Sequence, residues 1–249
     1  MKVEKVTEEI IEYIRNYYKA YNLKGAVIGI SGGKDSGVVA GLFTKALGPE
    51  NVVGIWMPCH SKEEDKKNAY LVAEKFGFSM KEVDLTNTYE EYIRQYVNLY
   101  PDATEEDYKN SNINIKPRLR MLTLYYNAAL LTSLTNNTYI VPGTSNKCEL
   151  YVGYFTKGGD NVADIQVLAD LTVEEVIKVG EYIGVPDSVI HKTPDDGLSG
   201  MSDEEKLGVT YKDIAKVIND EAVDNEAMTK IMRLHNNSSH KFNTPTYRR

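Results

Sequence analysis

Val6, Ile10, Ile14 and Tyr17 recur every three to four residues with acids between them, which predicts an amphipathic helix over about 3–21. Ala26 to Ile30 is a short β-branched run flanked by glycine, the pattern of a strand buried on both faces, and a glycine-rich turn then opens a helix. An apolar run at Val52 to Met57, a polar helix at about 62–76 and a third strand at about 79–84 extend the order to βαβαβ. That alternation predicts an α/β domain with a doubly wound parallel sheet and helices on both faces. A long helix at 116–134, a strand at Tyr139 to Val141, a helix at about 172–184 and a helical C-terminal part over 204–249 complete the map. Two polar stretches, 100–114 and 186–203, read as mobile loops, either lids or plain surface. With no repeat or linker, 1–249 is expected to be one domain with its sheet core in 25–185.

Charge narrows the function. Lys and Arg total 29 against 36 Asp and Glu, and the net charge of −7 argues against general affinity for nucleic acid or anionic membranes. Cys59 and Cys148 form no CxxC pair, which suits a reducing compartment, the cytoplasm. Apolar runs such as AVIGI are too short for a signal core or a membrane span, so a soluble, unprocessed protein is expected. His60, His191, His235 and His240 have no zinc-ligand spacing with the cysteines.

Chemistry enters at IGISGGKDSGVVAG, residues 28–41. A strand that ends in Ser31-Gly32-Gly33 and turns into a helix leaves backbone N–H groups pointing at an anion, and the helix dipole adds to the attraction. The segment is neither a Walker A loop, since Lys34 is followed by Asp35, nor a G-x-G-x-x-G fingerprint. An acid among phosphate oxygens repels them unless a divalent cation lies between, which makes Asp35 a candidate Mg²⁺ ligand.

SGGKDS resembles the signature of the PP-loop ATP pyrophosphatases, which cleave ATP between its α and β phosphates and adenylate a second substrate. NIKPRLRM at 114–121, GTSNKCE at 143–149, GYFTKGGDNVAD at 153–164 and LGVTY at 207–211 resemble, in order, the motifs of the ammonia-dependent NAD synthetases. The resemblance runs from about residue 25 to the end and implies a Rossmann-like fold. It assigns Gly29, Ile30, Ser31, Gly32, Gly33, Lys34, Asp35, Ser36 and Thr144 to ATP, and Asp35 with Glu149 to Mg²⁺. The same resemblance gives Arg118, Lys157, Asp164, His240 and Lys241 to the deamido dinucleotide. Arg120, two residues along the helix, is left open between substrate and ordinary surface.

The reaction so implied is amidation of deamido-NAD by ammonia, through an adenylated substrate, releasing AMP and pyrophosphate. Ser31 and Asp35 would act at the phosphates, and Asp160 is the candidate to hold ammonium and take its proton. A homodimer with the dinucleotide site at its interface is implied, with small molecules as the partners. Two positions depart from the pattern. Where the family has a lysine and a small hydroxyl residue for ATP, this chain has Val173 and Asp195, so weak ATP binding and steep Mg²⁺ dependence are expected. About six residues around Thr132 to Asn137 also lengthen the helix before Tyr139. A noncatalytic nucleotide-binding relative and a PP-loop amidase for another acid are the rival readings.

Overall fold

The computed structural model describes residues 1–97, 99–192, 202–243 and 245–247. The chain begins α1 (Val3–Ala20), β1 (Gly25–Gly29), α2 (Lys34–Leu47), β2 (Val52–Trp56), α3 (Glu63–Phe76) and β3 (Ser79–Glu82). It continues α4 (Thr86–Arg94), α5 (Glu105–Asn112), α6 (Ile115–Thr135), β4 (Tyr139–Ile140), β5 (Pro142–Gly143), α7 (Lys147–Val152) and β6 (Ile165–Gln166). Among the described residues α8 (Val173–Ile183), α9 (Asp187–Ile190), α10 (Asp203–Leu207), α11 (Tyr211–Ile218) and α12 (Asn225–Ser238) follow.

Among the described residues the strands form a parallel four-stranded sheet ordered β3-β2-β1-β4, with a separate parallel pair, β5-β6. Successive strand residues point to opposite faces, and the core divides accordingly. Ala26, Ile28, Val52 and Trp56 pack in one cluster with residues of α1, α2, α3 and α8. Val27, Val53 and Ile55 pack on the other face against Tyr89 of α4 and Leu124, Ala128 and Leu131 of α6. A third cluster joins α7 to α11 and α12 through Cys148, Val152, Ile214 and Ile231, giving the C-terminal part its own anchor. The doubly wound α/β arrangement is thus the observed one. No described helix is long and apolar enough to cross a membrane.

Two expectations change. The stretch 100–114 is not simply a loop, because α5 occupies most of it. Thr104 and Asp107 form a capping box in which the Thr104 hydroxyl accepts from the Asp107 N–H at 3.2 Å and Asp107 accepts from the Thr104 N–H at 2.9 Å. Reciprocal capping lets a polar, exposed segment hold a helix. The stretch 186–203 opens with the short helix α9 and ends at the first residue of α10, and residues 193–201 lie outside the described residues.

Candidate active site

The carboxyl ends of β1, β2 and β4 open into a cleft of about 530 Å³, where open α/β sheets bind ligands. Its floor is the phosphate loop. Gly32 has φ +80°, and a Cβ there would lie 2.3 Å from the Asp65 carbonyl oxygen, so only glycine fits against the first turn of α3. The two loop hydroxyls brace the turn: Ser31 Oγ and Ser36 Oγ are 3.0 Å apart, Ser31 Oγ accepts from the Gly33 N–H, and Ser36 Oγ donates to the Gly33 carbonyl. Gly29, Ile30, Gly33 and Thr144 line the same cleft.

At its inner end lies a carboxylate cluster. Lys34 Nζ is 2.9 Å from Asp35 Oδ2 and 5.8 Å from the Tyr211 ring centroid. Burial opposes charge on Lys34, but Asp35, Glu149 and Asp203 outweigh it and hold the ammonium above its ordinary range. Glu149 is pushed well up, first by burial and then by Asp35. Asn146, fully buried, ties the two acids together: its side-chain amide donates to Asp35 Oδ1 at 3.2 Å and its backbone N–H to Glu149 Oε2 at 3.0 Å. Three acids around one ammonium leave excess negative charge in a desolvated place, and carboxylates such as Asp35 and Glu149, which line the same cleft, are the donor type Mg²⁺ takes alongside phosphate oxygens and water. The residues present therefore fit that ion.

Of the other expected residues Asp160 and Lys241 line the cleft, whereas Arg118, Lys157, Asp164 and His240 do not. Arg118 is exposed and donates to the Lys157 carbonyl at 3.3 and 3.4 Å, while Lys157 Nζ donates to the His240 carbonyl at 2.7 Å. Lys241 Nζ donates to the Gly153 and Phe155 carbonyls at 2.6 and 2.8 Å, and burial lowers its pKa against the pull of Asp160. These four residues thus meet at the 153–160 loop. Asp164 stands apart, accepting from the Val141 N–H at 2.7 Å and the Tyr125 hydroxyl at 3.3 Å. Asp160 lines the cleft and accepts from the Thr156 N–H at 2.9 Å; burial raises its pKa, and that hydrogen bond only partly offsets the shift.

Val173 lines no part of the cleft; it opens α8 and packs on the apolar cluster around Cys148 and Tyr211. Asp195 lies outside the described residues. Side chains at the site that the sequence does not mark include Asn146, Asp203, Lys192 and, left open there, Arg120. The Asn146–Glu149 capping box was legible in NKCE. Asp203, which accepts from the hydroxyls of Tyr154 and Tyr211, and Lys192, ion-paired with Asp65, carried no local signal.

Comparison with known proteins gives this geometry relatives. The NAD synthase family profile matches residues 6–245. The NH(3)-dependent NAD(+) synthetase of Carboxydothermus hydrogenoformans is 39% identical over 243 residues, covering 97% of this chain and 96% of that protein. Among solved structures, the NMN synthetase from Francisella tularensis superposes with a TM-score of 0.89 at 30% identity, covering 100% of this chain and 99% of the other. The NH3-dependent NAD synthetase from Campylobacter jejuni gives 0.80 at 26% identity, with both chains fully covered.

Proposed function

The chain belongs to the NAD synthase family, and from that membership we propose that it amidates deamido-NAD with ammonia at the expense of ATP. The observation that carries the reading is one cleft lined by the phosphate loop with its Asp35, by Glu149 and by Asp160. A nicotinate carboxylate oxygen attacks the α-phosphorus of ATP, pyrophosphate departs, and the carboxylate becomes an acyl adenylate. Ammonia then attacks that carbon, the bond to AMP breaks, and an amide remains. Asp35 and Glu149 would hold Mg²⁺, which when bound supplies positive charge beside the ATP phosphates. Free N–H groups at the start of α2 receive phosphate oxygens. Asp160 orients ammonium and accepts its proton, a role suited to a buried carboxylate whose pKa is raised toward working pH. Lys241 from the cleft, and Arg118, Lys157, Asp164 and His240 from outside its lining, orient the dinucleotide.

Incubation with ATP, Mg²⁺, ammonium and deamido-NAD should yield AMP and NAD in equal amounts; ATP consumption to ADP, or none, contradicts the reading. The closer superposition on an NMN synthetase supports a second reading, in which the acid is the mononucleotide. The same assay with nicotinate mononucleotide, compared by kcat/KM, decides between the two.

The homodimer draws support from α6. Leu122, Tyr126, Leu130 and Leu134 are 61%, 66%, 44% and 72% exposed and recur every four residues, so they form one apolar stripe. The lengthened segment contributes Leu134. A two-fold axis would set the stripe against its own copy. Leu130→Asp should halve the mass seen in sedimentation, since burying an unpaired carboxylate costs several kcal/mol, about a thousand-fold in dimer affinity. An unchanged mass would remove α6 from the interface.

A further inference from the structure

Arg118 and Arg120 are neighbours on α6 that point in different directions. Arg118 faces solvent, whereas Arg120 lines the cleft with its Nε 3.4 Å from the Met57 carbonyl, a long hydrogen bond. Among the described residues Arg120 makes no ion pair; Asp160 and Asp65 act on it only through space, and burial lowers its pKa. A guanidinium keeps its charge at any working pH and carries several N–H donors in a rigid fork. Arg120 is half-buried, and drawing even part of such a charge out of water without an anionic partner is costly. The cleft's other described lining cations have partners: Lys34 has Asp35, Lys192 has Asp65, and Lys241 has two carbonyls. Arg120 alone among them has neither an ion pair nor more than one hydrogen bond, the long one to Met57.

Its place points to one anion. Met57, whose carbonyl it touches, follows β2 and packs on Gly29 of the phosphate loop; Asp65, which acts on it, backs onto Gly32. Asp160, on the side of the acid substrate, acts on it as well. The group between phosphate loop and acid is the phosphorus that the carboxylate attacks. Resting on the function proposed above, we propose that Arg120 is a catalytic residue whose guanidinium forks onto the α-phosphate of ATP and remains on it in the adenylate. It thereby supplies a phosphate-binding cation in a chain with Val173 where the resemblance expects lysine.

The test measures binding without turnover, so it stands whether or not the enzyme makes NAD. AMP, ATP with Mg²⁺, and pyrophosphate with Mg²⁺ are each titrated calorimetrically into wild type, Arg120→Met and Arg120→Lys, with melting curves of the ligand-free proteins. Loss of a charge-assisted contact should weaken AMP and ATP about ten- to a hundred-fold in Arg120→Met and leave pyrophosphate within about two-fold. Arg120→Lys should recover part of the loss. The ligand-free melting temperature of Arg120→Met should stay level or rise, since a half-buried charge without an ion-pair partner has been removed. AMP affinity unchanged relative to pyrophosphate, in whichever variant folds, overturns the proposal. So does a lowered melting temperature with AMP and ATP binding intact, because that marks a purely structural arginine.

Discussion

Asp35→Asn is expected to lower adenylation by about a thousand-fold while leaving the fold in place, and Glu149→Gln should do nearly the same. Each change removes one hard anionic ligand from the proposed Mg²⁺ site, and a cation acting on phosphoryl oxygens is worth several kcal/mol of transition-state stabilisation, about a factor of ten per 1.4 kcal/mol. Neither carboxylate carries the core. Asp35 bonds to Lys34 and Asn146, and Glu149 caps α7 through Asn146, so amide replacements of similar shape keep most of these contacts. ATP–pyrophosphate exchange in the presence of the acid substrate reports adenylation alone, and melting curves report the fold. Exchange at the wild-type rate in either variant would remove that residue from the metal site.

The second large effect concerns Asp160 and falls on a different step. Asp160→Asn should slow amide formation by about a hundred-fold, the low end of what a positioned base contributes, yet leave ATP–pyrophosphate exchange near wild type. Burial raises the Asp160 pKa, so the proton-accepting carboxylate appears only as pH climbs through that raised value. The wild-type rate should therefore fall on the acid side both because Asp160 is protonated and because ammonia is. In Asp160→Asn only the ammonia limb should remain, giving a shallower profile. Loss of exchange together with amidation would instead make Asp160 a residue of acid binding or adenylation.

Why some of this was legible in the sequence and some was not follows from particular residues. Strand and helix periods at Ala26–Ile30, Val52–Met57 and 62–76 are local, and they yielded the winding of the sheet. On α1 the period was right but the stripe was turned slightly: Ile11, Ile14 and Tyr18 are buried, while Val6, Ile10 and Tyr17 pack at the edge. The phosphate loop was visible because its turn, anion and helix all lie within one short string. Arg120 was ambiguous because residues two apart on a helix face different directions, and spacing alone does not say which of Arg118 and Arg120 turns inward. Asp203 and Lys192 reach the cleft only because the chain folds back from α10 and α9, a tertiary fact with no local trace. The polar stretch around α5 misled because composition outweighed its capping box.

The central claim, that this cleft joins a carboxylate to ammonia through an acyl adenylate, is tested most directly by following oxygen. Deamido-NAD carrying heavy oxygen in its nicotinate carboxylate is turned over with ATP, Mg²⁺ and ammonium, and the AMP is analysed by mass spectrometry. Transfer of one labelled oxygen into each AMP, matched by loss of one from the nicotinamide product, is the predicted result. Unlabelled AMP, or label found only in inorganic phosphate, would contradict it.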